Sequence, residues 1–212
     1  LSAQESEVLI STSHTSLLLS TSQGGELKFL YYGRKLTDAD VHAIVSTESG
    51  SFSAYPVYGL NCPSESALSV QHEDGNMTLQ MEVIGVETTH QEKANLTVIS
   101  LKDKVYPFYV KLCYKAYQDV DVIEAWTEIS HKEKKNVKLN QFASAYLPVR
   151  KGNVWLSSLY GAWANEARLV QEPLEPGMKV IKNKDGVRNS HTAHAEVMFS
   201  LDGQPRENSG RV

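Results

Sequence analysis

The chain has 212 residues, 41% of them hydrophobic, and 21 Lys and Arg against 25 Asp and Glu leave a formal net charge of −4. That length can bury a core without a metal or disulfide staple, and the acidic balance lacks the basic footprint a phosphate backbone requires, so nucleic acid is not an expected partner. The longest apolar run, Phe29-Leu30-Tyr31-Tyr32, falls far short of the ~20 residues of a membrane-spanning helix, and no such span is expected.

In chain order, the pattern is mostly of period two, which argues for strands with one buried face. Residues 16–21 and 27–32 read as a hairpin around Gly24-Gly25, where glycine supplies the positive φ of a tight turn. The stretch 33–53 is polar and irregular, with room for one helical turn at 38–42. Asp74-Gly75-Asn76 separates 68–72 from 78–86 in the manner of a second hairpin. From Phe108 to Tyr117 the alternation is clearest: Phe108, Val110, Leu112, Tyr114 and Ala116 share one side. Ile123, Ala125, Thr127 and Ile129 alternate with Glu124, Trp126, Glu128 and Ser130. A charged loop, 132–136, leads to a further alternating segment in which Val137, Leu139, Gln141 and Ala143 share a side. Residues 162–170 suit a short helix by composition, or a strand given Gly161 and Pro173. Asp185-Gly186 marks a turn after 178–182. Short strands with turns at this spacing indicate an all-β sandwich or barrel.

Chemistry-bearing motifs are sparse. Cys62 and Cys113 are too few for a disulfide scaffold or a four-cysteine zinc site, and either a pair or two separate thiols fits the spacing. His191-Thr192-Ala193-His194 with Glu196 has the residue types of a metal site, but residues three apart in an extended segment face opposite ways. An ordinary polar loop is the expectation, and no metal is assigned. Asp38 with Asp40, Asp119 with Asp121 and Glu124 with Glu128 are acid pairs, yet glycosidic chemistry needs two carboxylates facing each other across a sugar. They read as solvated charges. Asn76-Met77-Thr78 and Asn95-Leu96-Thr97 match the glycosylation sequon, a pattern that chance produces often. Trp126, Trp155 and Trp163, with Tyr55, Tyr58 and Tyr160, have rings that could cover apolar faces of sugars, although a sandwich core is the expected place for the tryptophans.

A set of segments, in order, carries a resemblance. They are Leu27-Lys28-Phe29-Leu30-Tyr31-Tyr32-Gly33, Tyr55-Pro56-Val57-Tyr58-Gly59, His72-Glu73-Asp74-Gly75-Asn76 and Leu101-Lys102-Asp103. Ile123-Glu124-Ala125-Trp126-Thr127-Glu128-Ile129, Gly161-Ala162-Trp163-Ala164-Asn165-Glu166 and Gly186-Val187-Arg188-Asn189-Ser190-His191 follow. Together they resemble the N-terminal β-supersandwich domain of bacterial α-galactosidases of glycoside hydrolase family 36.

The resemblance implies a large antiparallel β-supersandwich with few or no helices, with 1–212 as a single sandwich domain at the N-terminal part of a longer enzyme. Its partner would be a (β/α)8 catalytic domain of the same polypeptide, which carries an aspartate nucleophile and an aspartate acid/base for retaining hydrolysis of terminal α-galactosides. No catalytic residue and no cofactor is assigned to this chain, which alone is expected to be inactive. A homo-oligomer is implied, in which the sandwich supplies an Asp-x-Arg loop to a neighbouring subunit's site. Here that region reads Leu60-Asn61-Cys62-Pro63-Ser64-Glu65, without Asp-x-Arg. Asn61 and Glu65 are the candidate polar sugar contacts in its place, with Tyr58 and Trp163 as substrate-adjacent aromatics. A stand-alone carbohydrate-binding module and a domain of a raffinose-synthase-like galactosyltransferase are the alternatives. Leu1-Ser2-Ala3-Gln4 resembles the small residues beside a removed signal, which points to a periplasmic or secreted protein, with a cytoplasmic one as the alternative. Residues 207–212 resemble the start of a further strand.

Overall fold

Alternating apolar residues build most of the chain, which divides into two units, Leu1–Pro148 and Val149–Val212. The computed structural model describes residues 6–21, 25–47, 52–59, 65–149, 152–183 and 192–207. It is all-β and sandwich-like, with one helix among the described residues.

In the first unit, β1 (Glu7–Ser11), β2 (Thr15–Thr21), β3 (Leu27–Arg34) and β4 (Phe52–Ser53) form an antiparallel sheet in that order. The helix α1 (Asp38–Ser46) lies between β3 and β4 in the chain, and β5 (Leu68–Gln71) follows them. A second antiparallel sheet holds β6 (Met81–His90), β7 (Ala94–Asp103), β8 (Phe108–Tyr117) and β9 (Val122–His131), also in sequence order. The predicted inward side of β8 is buried throughout, from Phe108 at 0% exposure to Tyr114 at 8%. These side chains share a core with Val8, Ile10, Leu17, Leu19 and Phe29 of the first sheet, and with Ile99 and Leu101 of β7. Each such fully buried side chain contributes about 1.5–3 kcal/mol.

Strand β2 breaks the alternation because both its faces are covered. Leu17 and Leu19 enter the main core, while Leu18 meets Leu30 and Val41 on the helix side. A strand buried on both faces reads as an unbroken apolar run, here Leu17-Leu18-Leu19. The helix exceeds the single turn expected at 38–42. Thr37 accepts from the Asp40 N–H and Asp40 accepts back from the Thr37 N–H, a capping box, and Val41, Ile44 and Val45 recur at helical spacing toward the sheet.

Two other expectations are corrected. The 72–76 turn closes locally, with the His72 N–H donating to the Asn76 carbonyl at 2.8 Å, but it does not join a hairpin. β5 pairs with β10 (Lys138–Phe142) and β6 with β7, because partner choice is set by the cores rather than by the turn. The alternation of 137–144 gives no buried face: all of β10 is exposed, and a register shift between Leu139 and Gln141 interrupts it. Only Val137 and Ala143 at its ends pack against the core.

In the second unit, β11 (Trp155–Ala162), β12 (Asn165–Pro173) and β13 (Ala193–Ser200) form an antiparallel sheet in the order β12-β11-β13. Residues 165–170 are therefore strand, not helix. Residues 178–182 have no regular structure, and the turn assigned to Asp185-Gly186 lies outside the described residues.

Candidate functional site

In the first unit, backbone bonds on both sides fix the chain at Tyr58. Its N–H donates to the Leu68 carbonyl at 2.9 Å, and its carbonyl accepts the Leu79 N–H at 3.0 Å. Just upstream, the Tyr55 hydroxyl donates to the Ala143 carbonyl at 2.9 Å, and Val57 forms a parallel bridge to Leu68. Gly59 follows with φ +113°, and a Cβ there would stand 2.6 Å from the Thr78 Cα. The Tyr58 ring itself is 49% exposed, so the fold holds the backbone and leaves the side chain to solvent.

Glu65 re-enters the described chain beside this shelf. Its Oε1 accepts from Gln141 Nε2 at 3.0 Å, and the same Nε2 donates to the Ser66 carbonyl at 2.6 Å. Phe142, opposite Leu68 in the β5–β10 register, is 64% exposed. Tyr58, Glu65 and Phe142 are thus all tied to the start of β5. Asn61 and Cys62 lie outside the described residues. Gln141 and Phe142 had no signal in the sequence, since the register shift before Gln141 leaves no local pattern.

Two buried polar clamps support this side of the sandwich. Asp103 is 1% exposed, and its carboxylate accepts the backbone N–H groups of Gln80 at 2.6 Å and of Val105 and Tyr106 at 2.8 Å each. His72 Nδ1 lies 2.8 Å from Glu133 Oε1 with both side chains buried, and its ring stacks on Tyr106 at a centroid distance of 3.7 Å. Glu133 Oε2 accepts the Glu73 N–H at 3.1 Å, which ties the 72–76 turn to the charged loop. The Tyr106 hydroxyl donates to Asp74 at 2.7 Å. The Asn76 N–H and, after it, that hydroxyl hold the Asp74 carboxyl below its usual range. Asn76 of the first sequon is likewise engaged, accepting the Thr78 N–H at 3.0 Å.

At least one member of each acid pair has a structural partner. Asp40 caps α1. Asp121, at φ +56°, accepts from the Thr12 and Thr15 hydroxyls and from the His14 N–H, and the Thr12 bond is the main cause of its lowered pKa. Glu124 accepts from the Tyr117 hydroxyl at 2.9 Å, and Glu128 from Trp126 Nε1 at 3.3 Å. Cys113 is buried, and burial, with the Glu128 charge second, pushes its thiol up, away from the reactive thiolate.

In the second unit, Trp163 sits in the two-residue turn between β11 and β12 and is 85% exposed. The core expectation for tryptophan is corrected here. Trp163 stands within an exposed stretch, 162–170, and Trp126 and Trp155 are only partly buried. His194 and Glu196 lie on β13 rather than in a loop, and His191 lies outside the described residues. Among the described residues, no three His, Cys, Asp or Glu side chains gather as a metal site would require.

A model of the glycosyl hydrolase family 36 N-terminal domain matches residues 25–212. The chain belongs to this family. As a family 36 N-terminal domain it is similar to the α-galactosidase Mel36A of Lactobacillus acidophilus, at 29% identity over 104 residues, 49% of this chain and 14% of that protein. Its fold is similar to the α-galactosidase AgaA of Geobacillus stearothermophilus in complex with raffinose, with a TM-score of 0.81 at 18% identity. It is also similar to the α-galactosidase of Lactobacillus brevis, with a TM-score of 0.78 at 20% identity. Both matches cover 92% of this chain and 31% of the other, so the chain spans less than a third of those structures.

Proposed function

We propose that this chain is the non-catalytic N-terminal sandwich of an α-galactosidase, serving assembly and walling of an active site carried by a (β/α)8 barrel. The observation that carries this reading is the family match over residues 25–212, in company with relatives that are α-galactosidases. Retaining hydrolysis needs a nucleophilic carboxylate and an acid/base carboxylate about 5 Å apart. Asp40, Asp74, Asp103, Asp121 and Glu124 of this chain are instead engaged in caps, turns and cross-strand bonds. Each unit has candidate sugar contacts of its own: in the first, the exposed face of Tyr58 suits the apolar side of a sugar and Glu65, with Asn61 by sequence, suits its hydroxyls, and in the second, Trp163 is the aromatic candidate. In a homo-oligomer, the 60–65 loop would reach the site of a neighbouring subunit.

An indole face is about half of the ~200 Å² that a tryptophan can bury, and ~100 Å² at ~25 cal/mol per Å² gives an upper value of about 2.5 kcal/mol for one stacked sugar. The test compares the full-length protein with the 212-residue chain on an aryl α-galactoside. The full-length protein is expected to hydrolyse it with retention, and the chain alone to show no turnover. Turnover by the chain that vanishes when one of its own carboxylates is replaced would overturn the reading.

A further inference from the structure

The hairpin that carries Trp163 is built unlike the rest of its sheet. The paired residues of β13 and β11 end at Tyr160↔Ala193, with one further bond from the Gly161 N–H to the Thr192 carbonyl at 3.4 Å, so among the described residues the tip beyond it is formed by β11 and β12. Every residue from Ala162 to Val170 is exposed. Between Tyr160↔Arg168 and Ala162↔Asn165, Gly161 alone faces both Glu166 and Ala167, which makes a bulge in β12. Bulges bend a strand and re-aim what lies beyond them.

Two alanines in this short tip take the left-handed conformation, Ala164 at φ 59° in the turn and Ala167 at φ 53° in the bulge. Residues other than glycine, asparagine and aspartate seldom adopt it. Glycine would accept these angles freely but would leave the tip with more conformations to sample, whereas alanine narrows them. The residues flanking the indole, Ala162 and Ala164, are also too small to cover it. The tip therefore carries one large, exposed aromatic ring on a backbone whose course is set by two left-handed residues.

We propose that Ala167 and Ala164 are positioning residues, whose left-handed backbone aims the Trp163 indole at the α-galactoside. The proposal rests on the reading of Trp163 as substrate-adjacent given above. Valine, branched at Cβ, is far less tolerant of positive φ than alanine, whereas glycine tolerates it. Ala167→Val should thus turn the ring away, and Ala167→Gly should keep the bulge.

The experiment uses the full-length enzyme with raffinose and an aryl α-galactoside. Trp163→Ala is expected to raise KM about tenfold with kcat within about twofold, as loss of stacking made equally in the ground and transition states would. Ala167→Val should raise KM at least about fivefold, Ala167→Gly should stay within about twofold of the parent, and Ala167→Val should add nothing in the Trp163→Ala background. Ala164→Val provides the second variant, and unchanged melting temperatures identify the variants that remain folded. The emission difference between each variant and its Trp163→Phe counterpart reports the indole directly. It should shift in Ala167→Val and not in Ala167→Gly. A Trp163→Ala enzyme with unchanged KM would overturn the substrate reading, and the proposal with it. A raised KM in Trp163→Ala with folded Ala167→Val and Ala164→Val enzymes at parental KM would overturn the positioning role alone. So would an equal effect of Ala167→Val with and without Trp163.

Discussion

Asp103 offers the sharpest test of how the sandwich is held. Its buried carboxylate accepts three backbone N–H groups, from Gln80, Val105 and Tyr106, and so locks the β7–β8 turn to the segment entering β6. The Lys104 N–H adds a bond to the Gln80 carbonyl at 3.0 Å, and Leu79 next to it donates to Tyr58. Hydrogen bonds to a charged group contribute about 1.5–3 kcal/mol when fully buried, but Val105 is 70% exposed and water can replace part of its bond. Asp103→Ala should therefore destabilise by about 3–4 kcal/mol. Asp103→Asn keeps an oxygen for Val105 and Tyr106 but sets an amide NH2 against the Gln80 N–H, at a cost of about 2 kcal/mol. At roughly 2–4 °C per kcal/mol for a chain of this size, the alanine variant should melt about 6–15 °C lower. Thermal melts and urea titrations of the three proteins measure this. An alanine variant within about 1 kcal/mol of the parent, or an asparagine variant as unstable as alanine, would refute the bond-by-bond reasoning.

Asp121 has its pKa lowered in the folded chain, so its contribution is present above the unfolded carboxylate value and is lost as pH falls through the lowered one. The stability gap between the parent and Asp121→Asn, followed by denaturant titration from pH 6 downward, should close in that acid window. Burial pushes the Tyr114 phenol up to about 12, so the folded state holds a proton that the unfolded chain releases from about pH 10. Stability should fall between about pH 10 and about pH 12, and Tyr114→Phe should lessen that fall in alkaline melts. Gly59→Ala places a Cβ against Thr78 at a φ of +113° and should cost about 2 kcal/mol or more, read as a lower urea midpoint at unchanged slope.

Much of the fold was legible because burial on one face writes itself into a strand. The β2–β3 pair follows from its turn residues, and β8 and β9 from alternation. What stayed hidden was pairing between distant segments. Nothing in 68–71 or 138–142 announces that these strands meet, and the turn at 72–76 imitates a hairpin because its closure is local. The full length of α1 was present in Thr37 and Asp40 and in the spacing of Val41, Ile44 and Val45, but polar residues around them dilute the signal. The family segments contained His72 and Asp103, yet their roles as buried clamps depend on Glu133 and Gln80, which lie far along the chain or outside the motif.

The proposed site residues are hard to read for a reason opposite to that which makes core residues easy. A core side chain repeats because the fold needs it, whereas Tyr58 and Trp163 have side chains that the fold scarcely uses. At Tyr58 the carbonyl and N–H do the holding, and any residue that accepts that backbone could supply them. At Trp163 the turn and bulge are set by the alanines beside it, while the indole is 85% exposed. Truncating the Trp163 ring should therefore change folding stability by less than about 1 kcal/mol, since little buried area is lost, whereas truncating the half-buried Tyr58 should cost about 1–2 kcal/mol. Its neutrality makes Trp163 the more informative position. A loss of galactoside affinity on truncation, at unchanged melting temperature, can only come from contacts made outside the sandwich's own fold.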